Sequence, residues 1–281
     1  KTLGVIGSVE EIAAVGHRFA HGGERLKTSS VLGDEEIAYL ESIVELNPLH
    51  GPPAISGFKA CKAVMPRANH VGVFDTSYYS DLGEYAYIYP VPYELYEKYK
   101  IRRYGFHGTS HRYVAGKAAE LLGRRDAKII TCHLGNGSSI TATKNGRAVD
   151  TSMGFTPQDG VPMGTRSGAL DPTVVTYIMK AEGLSAEETD KLLNSKSGLL
   201  GVSGVSSDCR DVCKAAEAGN ARAALAIDIL VHDIKKIIGS YFAELDGADA
   251  LVFTAGIGEN DRNLRERVCK NMSALGIEID E

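Results

Sequence analysis

Four short apolar runs in this chain each empty into a polar, glycine-rich loop: HRFAHGGE at residues 17 to 24, VGVFDTS at 71 to 77, TCHLGNGSS at 131 to 139 and VFTAGIGEN at 252 to 260. Stretches of helical periodicity separate them, which is the alternation of an α/β fold. Ligands in such folds sit beyond the carboxyl ends of the strands, so loops of this kind can converge on one cleft. Bare glycine turns with free amides suit anions, phosphates among them. Neither HLGNGSS nor TAGIGEN is a Walker A loop, because G-x-x-x-x-G-K-[ST] is absent, and neither belongs to a dinucleotide fingerprint.

The remaining pattern fills in the alternation. Residues 12 to 19 are expected as a strand. Residues 34 to 46 are expected as a helix capped by Asp34, with Ile37, Leu40, Ile43 and Val44 at helical spacing. A second helix over 53 to 64 leads to a buried strand ending at Asp75. Residues 76 to 103, rich in Tyr and Pro, are expected to be irregular and to carry the chain between domains, with a hinge at 76 to 80. A helix is expected from Thr109 or Ser110 to Leu122, then a strand and a hairpin turning at Asn145-Gly146, a pair that suits a type I′ turn. The long loop at 153 to 172 is expected to be functional or disordered. Asp171, Pro172 and Gly183 bracket the next helix as cap, first residue and stop, and 185 to 194 is a further helix. A Gly/Ser loop at 197 to 208, a long and mostly buried helix at 220 to 245, a Gly-x-Gly turn after the last strand and a helix from Arg262 complete the reading.

Composition excludes several function classes. The 281 residues are 43% hydrophobic and 24% charged, which suits a globular protein with one large or two ordinary domains. A net charge of -5 lacks the basic excess of a nucleic-acid binder. The basic block Lys98, Lys100, Arg102 and Arg103 is interrupted by Tyr99 and Ile101 and is expected to be a solvated rim. The odd set Cys61, Cys132, Cys209, Cys213 and Cys269 forms no disulfide framework. Cys209 and Cys213 share a helix face, but no second pair completes a zinc set. A reducing, cytoplasmic setting follows. No run is long and apolar enough for a bilayer, and residues 1 to 15 lack a signal-peptide pattern.

The stretch YGFHGTSH, residues 104 to 111, places two histidines four apart, a spacing that can bind zinc on a helix. Gly108, Thr109 and Ser110 argue instead for a chain turning into a helix. No Glu follows His107 and no third ligand stands in spacing, so a zinc hydrolase is disfavoured. His107 is expected before the helix and His111 in its first turn, supporting the loop.

Nine ordered segments, GHRFAHGGE, NPLH, VFDTS, YGFHGTSHRYV, TCHLGNGSSI, DTSMGFTPQDGVPMGTRSG, SGLLGVSG, SSDCRD and FTAGIGEN, together give the chain its resemblance to the acetate kinases over essentially its whole length. That resemblance implies an α/β, two-domain actin-like ATPase (ribonuclease H-like) fold. It divides the chain into a partial N-terminal domain at 1–77 and a nucleotide-binding domain at 78–281. It implies direct in-line transfer of the γ-phosphoryl of ATP to a short carboxylate, with Mg²⁺, to give an acyl phosphate, in a cytoplasmic homodimer without nucleic-acid or membrane partners. Attacker and donor are both anions, so positioning and charge neutralisation dominate the chemistry. The matching residues are Arg18 and Arg166 for gripping carboxylate and phosphoryl, Asp75 for Mg²⁺ (directly or through water), His107 for a hydrogen bond to the phosphoryl and His50 in support. The nucleotide side would be His133, Asn136 and Gly137 at the phosphates, and Asp208, Arg210, Gly256, Ile257 and Asn260 around adenosine. Ala20, Leu49, Phe106 and Pro157 would wall the acyl pocket. Ala20 stands where acetate kinases commonly have valine and the similar propionate kinases have alanine. Its smaller side chain makes room for about one more CH₂, worth roughly 0.8 kcal/mol, so propionate is expected as a good substrate. Gly51 replaces the usual asparagine of HNPP.

The family also has an opening Asn-x-Gly-Ser-Ser-Ser-x-Lys stretch beside the phosphates and a closing segment with a Mg²⁺-binding glutamate. Neither matches this sequence. The expectation is therefore an incomplete first domain and, for this polypeptide alone, much reduced kinase activity. The alternatives are a propionate-preferring kinase and a truncated, non-catalytic ATP-binding module of the same superfamily.

Overall fold

The computed structural model describes residues 4–280. Strand β1 (Ala14–Phe19) alternates exposed and covered positions and ends in buried Phe19. After β2 (Ser30–Val31) comes helix α1 (Asp34–Ser42). It is capped by Gly33 rather than Asp34: the Gly33 N–H donates to Glu36 Oε2 at 3.0 Å. The expected helix to residue 46 breaks at Ile43, and a 3₁₀ turn, Val44–Leu46, follows. Helix α2 (Gly51–Val64) starts two residues earlier than expected, with prolines in its first turn, where a missing N–H costs nothing. A Cβ on Gly51 would meet only ordinary contacts, so space does not require glycine there. Strand β3 (Asn69–Phe74) pairs in parallel with β1 and antiparallel with β2, giving the order β1-β3-β2. Phe19, Leu32, Ile37, Leu40, Ile55, Phe58 and Phe74 close this first core.

Residues 75 to 103 are more ordered than composition suggests. A 3₁₀ turn, Asp75–Tyr79, is followed by α3 (Glu84–Tyr87) and α4 (Tyr93–Tyr99). The basic block that ends there is no solvated rim throughout. Arg102 is buried against the Tyr87 ring, and Arg103 Nη1 donates to the Thr151 carbonyl at 2.8 Å and reaches the carbonyls of Ser152 and Met153. Helix α5 (Gly108–Leu122) then leads to β4 (Lys128–Leu134), β5 (Ser138–Lys144) and β6 (Arg147–Thr151). The hairpin turns at Asn145 and Gly146, whose φ values of 54° and 75° are those of a type I′ turn.

The loop after β6 has no regular structure until α6 (Pro172–Glu182), which is capped by Asp171 and closed by left-handed Gly183. Helix α7 (Ala186–Ser195) carries a Ser185/Glu188 capping box. The expected Gly/Ser loop contains a helix, α8 (Gly198–Ser203), because Leu199 buries itself in the second core. Helices α9 (Cys209–Glu217) and α10 (Ala221–Glu244) precede β7 (Ala250–Thr254). Helix α10 is buried along one broad face rather than all round, and Leu225 is exposed. The expected Gly-x-Gly turn is helical, as α11 (Ala255–Asn260), and α12 (Arg262–Cys269) follows as expected.

The second sheet has the order β6-β5-β4-β7, with β4 and β7 parallel. Alternation along β4 sends Cys132 and Leu134 toward α10 and Ile129 toward Ala115 of α5, so both faces are covered. The carboxyl ends of β1, β3, β4 and β7 are the points from which the site is built.

Candidate active site

Parallel pairing sets Arg18 beside Val73, two residues before Asp75. Arg18 Nε and Nη2 reach Asp75 Oδ1 and Oδ2 at 3.1 and 2.5 Å, a two-pronged ion pair. The Asp75 side chain is 2% exposed and that of Arg18 66%, so one partner anchors the other at the surface of the cleft. The bonds to Asp75 raise the Arg18 pKa above its ordinary value. The loops after β1 and β3 are joined again where the Gly22 N–H donates to Thr76 Oγ1.

Helix α5 begins one residue earlier than sequence suggests: His107 is its cap, not Thr109 or Ser110. His107 has φ 57°, a left-handed conformation that is uncommon outside glycine and asparagine. It is held there from both sides. Tyr79 donates its hydroxyl to the Phe106 carbonyl at 2.8 Å, and Gly108 lies so close under the Asp75 carbonyl oxygen that any Cβ would collide with it. This contact brings Asp75 and His107 together.

Three imidazoles, His107, His133 and His50, stand near Arg18, and a fourth, His111, backs them. His107 stacks on His133 with centroids 4.2 Å apart. Ser110 Oγ lies 2.9 Å from His133 Nδ1. Fully buried His111 sits behind them, its Nε2 2.7 Å from Ser139 Oγ and its Nδ1 2.5 Å from Thr131 Oγ1. The same Ser139 oxygen is 2.8 Å from His107 Nδ1. A serine has one proton to give, so it donates to one imidazole and accepts from the other. Burial, then the neighbouring His133, Arg18, Arg166 and His50, hold His107 down to about 3, which keeps it neutral at physiological pH. Burial also lowers His111, His133 and His50. His50 caps α2, is exposed, and feels Arg166, Arg18 and Asp75, which places it beside the same cluster.

Arg166 has no carboxylate partner among the described residues. Its Nη1 donates to the Pro157 carbonyl at 3.0 Å, and burial lowers its pKa. A Cβ on Gly137 would lie 3.5 Å from both Arg166 Nη1 and His107 Nε2. A guanidinium without a carboxylate partner and a ring nitrogen thus face one bare stretch of backbone, an arrangement suited to an anion.

The apolar residues divide. Ala20 is buried, and Phe106 packs on Met153 and Met163. Leu49, by contrast, is 62% exposed and belongs to no buried cluster, so the structure does not place it in an apolar wall. Next to Ala20, buried His21 leans on the Tyr104 and Phe106 rings with its Nε2 unpaired among the described residues, and burial pushes its pKa to about 4.

On the far side of Gly137 opens a cavity of about 830 Å³, lined by Gly135, Asn136, Ser207, Asp208, Cys209, Arg210, Gly256, Ile257, Asn260, Asp261, Arg262 and Asn263. Six of the eight residues expected on the nucleotide side line it; His133 and Gly137 stand at the inner cluster instead. Asp208 and Arg210 do not reach separately into the cavity. Asp208 caps α9 and accepts the Arg210 backbone N–H, Nε and Nη2, the last at 2.6 Å, and this holds its pKa down to about 2. Ala255 enters α11 at φ 64°, an uncommon conformation for alanine, one residue before Gly256 of the cavity lining.

The profile of the Acetokinase family matches residues 1–281. The chain belongs to the acetokinase family. It is 56% identical over 282 residues to an acetate kinase of Methanosarcina acetivorans, covering 99% of this chain and 69% of that one. It is 54% identical over 279 residues to an acetate kinase of Desulfitobacterium hafniense, covering 99% and 70%. The crystal structure of the Porphyromonas gingivalis acetate kinase superposes with a TM-score of 0.93 at 49% identity, over 98% of this chain and 70% of that one. A propionate kinase from Francisella tularensis gives 0.94 at 43%, over 97% and 71%. This acetokinase chain therefore has the mixed α/β fold of those structures. No described helix is long and apolar enough to cross a membrane.

Motif matching alone missed the residues that hold the acetokinase site in shape. Ser139 and Thr131 lie in strands and look like ordinary alternation residues, and Met153 and Met163 lie in an irregular loop. Only His111 left a signal, its spacing from His107.

Proposed function

We propose that this chain transfers the γ-phosphoryl of ATP reversibly to the carboxylate of acetate, forming acetyl phosphate. The observation that carries the reading is the unpaired Arg166 guanidinium facing His107 across Gly137, between the Arg18–Asp75 pair and the large cavity. Adenosine occupies that cavity, with Ile257 against the base and Gly135, Asn136 and Gly137 leading the phosphates inward. Two of the five Arg18 donors are used on Asp75, which leaves three for the acyl carboxylate. Arg166 takes the transferring phosphoryl, whose charge peaks between two anionic groups.

His107 serves as a neutral donor. With Thr131 donating its one proton to His111 Nδ1 at 2.5 Å, rather than to the Thr141 carbonyl at 3.4 Å, His111 Nε2–H donates to Ser139 and Ser139 donates to His107 Nδ1. The remaining His107 proton then sits on Nε2, on the ring edge that faces Gly137. His50 contributes a further polar edge to the acyl side.

Mg²⁺ fits this arrangement at Asp75. Each carboxylate oxygen keeps a lone pair beyond its bond to Arg18, and Mg²⁺ is commonly held by one or two carboxylates together with phosphates and water. When bound, the cation neutralises phosphate charge; Asp75 holds it directly or through water.

Propionate is the second substrate, because Ala20 and Phe106 leave more room than a valine would and a propionate kinase is among the similar structures. The separate cores of the two sheets suit a division into domains near residue 77, and a homodimer is the proposed assembly. ATP- and acetate-dependent hydroxamate formation in hydroxylamine tests the reading, and its absence with both acetate and propionate rejects it.

A further inference from the structure

Helix α9 carries Cys209, Cys213 and Glu217 at intervals of four, which stacks three ligating side chains along one stripe. The two sulfurs are 4.0 Å apart. Cys213 Sγ is also 4.0 Å from Asp261 Oδ2, and the three ligand atoms lie within 4.8 Å of one another. Asp261 caps α12: its Oδ1 accepts the Leu264 N–H at 2.9 Å, which turns the second oxygen toward the thiols. A tetrahedral ion with metal–sulfur bonds of about 2.3 Å and metal–oxygen bonds of about 2.0 Å holds its donors roughly 3.5–3.8 Å apart. On that scale the two 4.0 Å gaps close by about 0.2 and 0.5 Å, and the Cys209–Asp261 pair by up to about 1.3 Å, within reach of side-chain rotation.

Access and charge also fit. A cavity of about 210 Å³ opens beside Cys213 and Asp261, and Glu217 lines it too, so water or that carboxylate can take a fourth position. Arg267 borders the same cavity but is paired with Asp228, which draws its charge aside. Cys213 is half-buried, so its thiol is accessible to a cation from solvent. None of the three side chains has a role in phosphoryl transfer.

We propose that Cys209, Cys213 and Asp261 bind a thiophilic divalent cation of the zinc class, tying the first turn of α9 to the cap of α12. Both thiols lose their protons on binding: M²⁺ and two S–H groups give two metal–thiolate bonds and two H⁺, so affinity rises with pH. Asp208, Cys209, Arg210, Asn260 and Asp261 border the large cavity, so the ion acts on its walls. Cation binding itself does not depend on the reaction assigned above; its effect on ATP does.

The test uses Cd²⁺ as probe, read by the ultraviolet thiolate-to-cadmium charge-transfer band. A Cys61→Ser background removes the other half-buried thiol. One equivalent per chain is expected, with the band at least halved and affinity lowered 100-fold or more in Cys213→Ser. Asp261→Asn, which keeps a capping oxygen, should weaken binding about tenfold. Zn²⁺ should compete for the site and change ATP affinity severalfold in the parent but not in Cys213→Ser. Should Cys209→Ser fail to fold, half-buried Cys213 still decides the matter. An unchanged band and affinity in Cys213→Ser, or no band at one equivalent, overturns the site; binding that leaves ATP affinity untouched overturns the link to the cavity.

Discussion

Ser139 Oγ lies 2.8 Å from His107 Nδ1, and the same oxygen is 2.7 Å from His111 Nε2. One hydroxyl therefore stands between the ring proposed to touch the phosphoryl and a ring that is wholly buried. Replacing it with Ser139→Ala removes the donor that keeps the His107 proton on Nε2. The expected outcome is a fall in kcat of at least about tenfold with little change in KM, since a transition-state contact is weakened. The buried His111 N–H left without an acceptor should cost roughly 1–3 kcal/mol, measurable by urea unfolding.

Gly108 and Gly137 carry opposite expectations. A methyl group at Gly108 collides with the Asp75 backbone, so Gly108→Ala should destabilise the fold by about 1–3 kcal/mol and lower the yield of native protein. A methyl group at Gly137 meets His107 and Arg166 at ordinary contact distance, so Gly137→Ala should fold with an unchanged thermal midpoint. It should nevertheless lose activity on the order of a hundredfold, because the space lost is where the phosphoryl has to sit.

Acid should destabilise the protein through its buried histidines. His107 is held to about 3 and His21 to about 4, against an unfolded value near 6.5. Between those values the unfolded chain binds protons that the native state refuses, so stability rises with pH across that window and is lost as pH falls from about 6.5. At pH 5 each such histidine costs up to about 2 kcal/mol. Urea midpoints should drop steeply from pH 7 to pH 5 and recover partly in His21→Gln.

Much of this was readable beforehand, and the physical reason differs by residue. Arg18, Asp75, His107 and Arg166 stand in glycine-rich loops at strand ends, where backbone constraint and ligand chemistry share one short motif. The type I′ turn at Asn145-Gly146 and the Asp171 cap were legible because local chemistry alone decides them. Helix α8 was hidden, since its glycines signal a loop and only the burial of Leu199 in a distant core makes it helical. Arg102 and Arg103 were misread for the same reason: the tyrosine rings and carbonyls that receive them come from elsewhere in the chain. Leu49 was placed by motif and is exposed, and Asp208 and Arg210 line the expected cavity as a mutually bonded pair.

Ala20 sets the acyl preference in this account. Ala20→Val should lower kcat/KM for propionate severalfold relative to acetate, since each methyl-sized volume is worth roughly 0.8 kcal/mol, about fourfold. Steady-state rates with acetate, propionate and butyrate give the comparison, and an unchanged ratio would remove Ala20 from the pocket.

Arg166, without a carboxylate partner and beside Gly137 and His107, is the proposed receiver of the phosphoryl group. The most direct test of that role is acetyl hydroxamate formation from ATP and acetate by the parent protein and by Arg166→Ala, alongside ATP binding. Acetate-dependent hydroxamate is expected in the parent, with a loss of roughly 10²–10³ in kcat for the variant and nearly unchanged ATP affinity. Equal hydroxamate rates in the two proteins would contradict it.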